Sequence, residues 1–424
     1  MTAGRIWHHL PAGLVVVAGL LPLTALLAYR GTVPALLLAA LLGLPVLPAL
    51  VARLRRPPAL VTILVGLAAW GVVTTAWSIG PDDSLKVAGQ FLGVVLPGWL
   101  VVLAMDRLTP RARMALALAT ATGMAAAGGV AFVDLAAGTD IADFLRGGRS
   151  FIGHEYNHSA CTFAILLPAV MAILWSGGRA GKGAALGLAI LVTAAVAVSP
   201  SGTAQVALGA GAASALLVAA VGGRMAPAIG GLAAVLVAVM PLIGRALPPM
   251  TAPPDDRQAV LPISGQHRLA IWHYTADRVA ERPFAGWGLD AARNMPDVDR
   301  STTYILTHPE TGGRHRVHTQ PIPLHPHNAA LQVWLELGAP GAFLLGAFFI
   351  VAFTTVRWTA PDRATLSAGI STLVAGGTVA MLGYGAWQTW LLAVLAFTAV
   401  LLRLTFLVRS AEDGRVVARG APGG

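Results

Sequence analysis

The sequence predicts an all-α polytopic membrane protein, and three observations carry that prediction. Of 424 residues, 56% are hydrophobic and only 11% charged, with a mean hydropathy of +0.71, more apolar surface than a water-soluble fold of this size hides in one core. The apolar residues gather into stretches close to the 20 or so residues that cross the hydrocarbon of a bilayer. The short connections between them alternate in charge, every second one carrying arginine or lysine.

About twelve spans are expected, at roughly 11–29, 33–52, 59–77, 86–105, 113–133, 159–176, 183–199, 203–221, 226–244, 329–354, 366–384 and 386–408. The first is preceded by Arg5, His8 and His9; with no small-residue cleavage site, it reads as a retained span rather than a signal peptide. Arg53, Arg55 and Arg56 follow the second stretch, Arg107, Arg111 and Arg113 the fourth, Arg179 and Lys182 the sixth, Arg224 the eighth, and Arg357 and Arg363 the tenth. Those exits are expected on the cytoplasmic side, together with both termini. The domain reading is 1–244, nine spans with short loops; 245–328, an external loop carrying the active-site residues; 329–408, three spans; and 409–424, a cytoplasmic tail. The formal charge of +10 then belongs to cytoplasmic loops, and with no basic helix or stacking motif, nucleic acid is not an expected partner.

Two outward connections are long, about 134–158 and 245–328. In the second, Ser264 is expected to cap a helix from about Gln266 to Arg282, which Pro283 ends. Leu269, Trp272, Ala276 and Val279 would give it one apolar face. Arg268 falls in its expected first turn, beside backbone N–H groups that favour an anion. Pro283–Gly288 reads as a turn, and 289–324 as irregular loop.

The chemistry is expected in His325-Pro326-His327-Asn328, where this loop enters the tenth span. Ionisable side chains at a membrane boundary are costly to place, which makes a function the first reading. Asn328, Gln332 and Glu336 follow at every fourth residue and form one stripe. For Gln332 and Glu336 the simplest account is hydrogen bonding to neighbouring helices. His327, at the exposed mouth, suits a general base, because an imidazole changes charge near neutral pH. The runs His325–His327 and Arg314-His315-Arg316-Val317-His318 have no carboxylate or cysteine at ligand spacing, so metal-independent chemistry is expected. Arginines at Arg268, Arg146, Arg149, Arg245, Arg314 and Arg316 could hold a phosphate head in bidentate fashion, as lysine cannot. Cys161, the single cysteine, is expected as a small apolar residue within a helix.

His325–Gly338, the upstream Arg268-Leu-Ala-Ile-Trp272 with Glu281-Arg-Pro283-Phe-Ala-Gly286-Trp-Gly288, and the twelve-span layout resemble the bacterial O-antigen ligase family, whose superfamily includes O-antigen polymerases. The specific motifs lie in about 150–210 and 265–345. The resemblance implies an inverting, metal-independent, GT-C-type membrane glycosyltransferase without a cofactor. It would act at the periplasmic face of the bacterial inner membrane. The donor would be a glycan on undecaprenyl pyrophosphate and the acceptor a hydroxyl of the lipid A-core. By position, His327 matches the family's essential histidine and Arg268 its loop arginine. His325, Asn328, Arg314 and Arg316 are expected substrate contacts. The chain departs from the family at Ser199-Pro200-Ser201-Gly202-Thr203-Ala204, where Gly202 stands at a position that is often basic. Arg149 or His158 is expected to replace that cation. The alternatives are a polymerase of the same superfamily and, from another class, a transporter or flippase for lipid-linked glycans. The scarcity of charge at mid-span argues against transport.

Overall fold

A computed structural model describes residues 3–148, 155–247, 261–296, 302–307 and 311–420. The chain is an all-α polytopic membrane protein. Ten helices among the described residues are long and apolar enough to cross a membrane. They lie within α4 (Ala59–Val73, continued by a 3-10 turn to Ala76), α5 (Pro81–Met105), α6 (Pro110–Ala137), α8 (Tyr156–Leu174), α9 (Gly178–Val198), α10 (Gly202–Val221), α11 (Met225–Ala246), α13 (Ala329–Thr359), α14 (Arg363–Leu382) and α15 (Thr389–Gly420). Before them stands α1 (Ala3–Leu27). A short α7 (Ile141–Leu145) and the loop helix α12 (Ile263–Glu281) lie between spans.

The second expected span, 33–52, is not one straight helix. It is α2 (Thr32–Leu42) followed by α3 (Leu47–Leu54), the segments around the break meeting at 55°. The cause is local: Gly43, Pro45 and Pro48 fall together, and each proline removes a backbone donor that a continuous helix needs.

Small residues let the helices touch at their backbones. A Cβ on Gly123 of α6 would stand 2.0 Å from the Gly19 carbonyl oxygen of α1, and one on Gly230 of α11 2.9 Å from Phe353 Cβ of α13. This is how membrane helices gain van der Waals contact where lipid offers no hydrophobic drive.

In the loop between α11 and α13, α12 starts at Ile263 after Pro262, and no side chain caps it. The expected Ser264 cap is therefore absent, because proline, fixed at a helix-compatible φ and lacking an N–H, sets the start one turn earlier. Arg268 consequently lies in the second turn, away from the unpaired N–H groups. The stretch expected to be irregular contains an antiparallel hairpin, β1 (Thr302–Thr307) against β2 (Arg314–Thr319), paired from Thr302↔Thr319 to Thr307↔Arg314. β1 reads Thr-Thr-Tyr-Ile-Leu-Thr, rich in β-branched and aromatic residues that favour a pleated strand. Gln266 ties α12 to the hairpin, its Nε2 donating to Thr307 O at 2.6 Å and its Oε1 accepting from Thr307 N at 2.9 Å.

The turn Pro283–Gly288 is built into a break in α13. Gly338 has φ +62° and Pro340 follows, so carbonyls there lose their helical partners. Trp287 N donates to Leu335 O at 2.8 Å, Gly288 N to Glu336 O at 2.9 Å, and Trp70 Nε1 to Leu337 O at 2.8 Å. A Cβ on Gly338 would stand 2.3 Å from the Phe284 carbonyl oxygen. Gly338→Ala combines that clash with a left-handed backbone, and is expected to cost on the order of 1–3 kcal/mol. The check is thermal unfolding in detergent: a melting temperature several degrees below that of the wild type is expected, and an unchanged one would refute the close approach.

Candidate active site

His327 carries φ +53°, a left-handed conformation that a side chain rarely adopts. The neighbouring groups hold it there. Trp272 Nε1 donates to Pro326 O at 2.9 Å, and the Asn328 side chain accepts from Leu331 N at 3.0 Å, capping α13 directly after the turn. The ring is fixed as well, with Nδ1 2.6 Å from Gly383 O. A carbonyl only accepts, so Nδ1 bears the proton; in the neutral imidazole Nε2 is left with its lone pair.

His325 is buried and packs edge-on against His327, ring centroids 4.3 Å apart. The left-handed His327 backbone folds the chain back after Pro326 and brings the two rings together. Gln388 Nε2 stands 3.0 Å from His325 Nε2, and Trp390 Nε1 donates to Gln388 Oε1 at 2.8 Å. An indole can only donate, so the Gln388 amide presents its NH2 to the imidazole. The backbone N–H of His327 faces the other ring nitrogen at 3.3 Å. A neutral imidazole accepts at only one nitrogen, so His325 satisfies one of these two donors at a time, and a protonated ring would satisfy neither.

Burial pushes the pKa of His325 down to about 3 and that of His327 to about 4, Arg268 adding to both and the Gly383 hydrogen bond opposing the shift at His327. Both rings are neutral at pH 7. The sign for stability follows: the unfolded chain binds more protons between about pH 4 and 6.5, so these groups cost stability as pH falls through that window. For activity, the imidazole lone pair is expected to persist to mildly acidic pH. A pH profile of kcat/KM for the purified protein, which reports the free enzyme, should lack an acid limb near pH 6.5, and a steep loss centred there would contradict these environments.

Arg268 is half-buried and donates from Nη1 to Thr203 Oγ1 at 3.2 Å, while the Thr203 hydroxyl donates to Leu382 O at 3.3 Å. Among the described residues no carboxylate pairs with it. Desolvation holds its pKa below the usual arginine value, with Tyr384 and Cys161 nearby. A cation removed from water with no anionic partner is a ready site for an anionic ligand. Cys161 is fully buried, 3.7 Å from Ser201 Oγ.

The remaining predicted residues divide. His158, in the first turn of α8, stacks on Tyr29 with centroids 3.8 Å apart and adjoins Tyr384 and Trp390, placing it beside the Arg268 side of the site. Arg149 lies outside the described residues. Arg314 and Arg316 are exposed on β2. Arg146 is paired with Glu155, and Arg245 stands 3.4 Å from Asp277. Asn328 is buried and spends its side-chain oxygen on the cap. Gln332 and Glu336 bond inward: Gln332 accepts from Ala386 N at 2.8 Å, and Glu336 accepts from Gln332 Nε2, Asp290 N and Trp387 Nε1. The turn at Ser199–Ala204 does reach the site, through Thr203, and a side chain at Gly202 would meet open space. Among the described residues no three His, Cys, Asp or Glu side chains are grouped as metal ligands.

Sequence reasoning missed Gly383–Trp390. Spans at 366–384 and 386–408 leave no room for a turn, although a connection holding Tyr384, Trp387 and Gln388 without a basic residue is the available signal.

Residues 164–346 match the O-Antigen ligase family. Over that window the resemblance carried by the motifs is borne out. Three similar proteins share the name Putative polysaccharide ligase. That of Rickettsia prowazekii (strain Madrid E) is 30% identical over 169 residues, 39% of this chain and 38% of the relative. That of Rickettsia typhi is 27% identical over 170 residues, 39% of this chain and 38% of the relative, and that of Rickettsia conorii 27% over 177 residues, 40% of each. The matched stretch thus spans about two-fifths of each relative's length. Thr203, Arg268, His325 and His327 fall within the family match; His158, Tyr384 and Gln388 fall outside it.

Proposed function

We propose that the protein is an O-antigen ligase, moving a glycan from undecaprenyl pyrophosphate to a sugar hydroxyl of the lipid A-core at the periplasmic face of the inner membrane. The observation that carries this reading is one juxtaposition: a half-buried arginine, with no carboxylate partner among the described residues, is tied through Thr203 to Leu382 O, and an imidazole whose Nε2 keeps its lone pair is tied to the adjacent Gly383 O.

In this mechanism His327 Nε2 takes the proton of the acceptor hydroxyl as its oxygen attacks the anomeric carbon. The bond from that carbon to the pyrophosphate oxygen breaks on the opposite face, giving inversion, and Arg268 stabilises the charge on the departing undecaprenyl pyrophosphate. Bound pyrophosphate also raises the proton affinity of His327, because a nearby negative charge favours the imidazolium. No metal is required, since pyrophosphate is already a good leaving group. Arg149 or His158 supplies the second cation, and the exposed Arg314 and Arg316 meet the approaching substrate, while His325 packs on His327 and Asn328 caps α13 behind it. A single concentration of arginine and histidine favours one pyrophosphate-lipid site, hence ligation over polymerisation.

Two experiments test the reading. Deleting the gene should leave full-length glycan on undecaprenyl pyrophosphate and bare lipid A-core on a gel; core carrying one repeat unit would identify a polymerase instead. For topology, Thr311→Cys is exposed beside the hairpin while native Cys161 is buried. Its labelling by an impermeant maleimide is expected in intact spheroplasts, and labelling only after lysis would reverse the orientation.

A further inference from the structure

The segment Leu382–Trp390, from the end of α14 into the start of α15, lies outside residues 164–346. It nonetheless meets both halves of the candidate site. Gly383 O receives the His327 Nδ1 proton at 2.6 Å, and the adjacent Leu382 O receives the Thr203 hydroxyl that in turn accepts from Arg268. On its other flank Gln388 faces His325 Nε2 at 3.0 Å. The approach is tight: a Cβ at Gly385 would stand 2.9 Å from His325 Cγ, and one at Gly383 3.0 Å from Thr203 Cγ2. The far side is anchored, with Ala386 N donating to Gln332 Oε1 at 2.8 Å and Trp387 Nε1 donating to Glu336.

We infer that Thr203 and Gln388 are positioning residues: through the turn between α14 and α15 they hold Arg268 and the His325–His327 pair in one frame. This deepens the reading proposed above and rests on it. The physical need is clear. Arginine has a long side chain with many rotamers, and without a carboxylate partner among the described residues its direction depends on the Thr203 hydroxyl. His327 in turn needs its Nδ1 proton fixed so that Nε2 faces the acceptor. Two carbonyls of consecutive residues, Leu382 and Gly383, supply both constraints. Arginine and imidazole are thereby kept at one separation, which is what a transfer with attack on one face and departure from the other requires.

The test uses the full-length protein in detergent, with lipid-linked donor and lipid A-core acceptor. Thr203→Val keeps the shape and removes the hydroxyl. A fall in kcat of at least about tenfold is expected, the range for losing a hydrogen bond to a charged group, while Thr203→Ser restores activity to near wild type. The deciding readout is the double variant. Because Thr203 acts through Arg268, Thr203→Val added to Arg268→Ala should bring no further loss, whereas a merely structural contribution would multiply. Thr378→Val, which removes a hydroxyl bonded within α14 to Val374 O, is the silent control. Gln388→Leu carries the same test from α14–α15 itself, with kcat expected to fall similarly, should Thr203→Val fail to fold. Activity of Thr203→Val within twofold of wild type, or losses that multiply in the double variant, overturns the inference. Full activity of Arg268→Ala would instead overturn the functional reading beneath it.

Discussion

His327→Ala is expected to lower transfer by at least about 100-fold, the usual contribution of a positioned general base, while expression and melting temperature stay near wild type. The expectation of intact folding is specific to the geometry. Among the described residues the ring makes one hydrogen bond, to Gly383 O, and the strained backbone at φ +53° is held by Trp272 and the Asn328 cap rather than by the imidazole. His327→Gln separates two roles. An amide can donate to Gly383 O and so preserve orientation, but it has no basic lone pair to take a proton; it should be as inactive as alanine. Substantial activity in the glutamine variant would mean that the group orients the acceptor without removing its proton.

Arg268→Lys should be the second large effect, losing most activity although the charge is kept. Thr203 takes Nη1, which leaves the rest of the planar fork for the departing phosphate. An ammonium is a point charge that cannot contact Thr203 and two phosphate oxygens in the same geometry. A loss of about 10- to 100-fold is expected in kcat, since the interaction grows as charge develops on the leaving oxygen. The steady-state rate at saturating donor measures it. If the lysine variant runs at the wild-type rate, Arg268 is a general positive charge and the leaving-group assignment falls.

The membrane fold was legible because hydropathy and basic exits do not depend on tertiary contacts. Composition placed the spans, while Gly43, Pro45 and Pro48 show why one of them is bent. The loop was harder. Ser264 carried a good capping signal, yet Pro262 started α12 earlier and moved Arg268 to the second turn. The β1–β2 hairpin was hidden because its strands are short and the surrounding proline and glycine favoured an irregular reading. Within the stripe below His327, Gln332 and Glu336 are expected to bond neighbouring helices; they do bond inward, but to Ala386, Asp290 and Trp387, which lie in turns. The nearness of Arg268 to His327 came from a family resemblance. No residue spacing connects positions so far apart in the chain; Trp272 on Pro326 O and the two carbonyls at Leu382 and Gly383 create that nearness in three dimensions. The turn at Gly383–Trp390 escaped notice because hydropathy ran through it almost without a break.

The site formed by His327 and Arg268 is proposed to transfer a glycan between two lipid-anchored substrates. The most direct measurement is a reconstituted reaction in detergent, with no membrane to cross and EDTA present, containing only the purified protein, undecaprenyl-pyrophosphate-linked glycan and lipid A-core. Glycosylated lipid A-core and free undecaprenyl pyrophosphate are expected in equal amounts, formed by the wild type and not by His327→Ala. A wild-type protein that binds the donor yet leaves it unconsumed in the presence of acceptor would rule out glycan transfer at this site and point to a carrier of lipid-linked glycans.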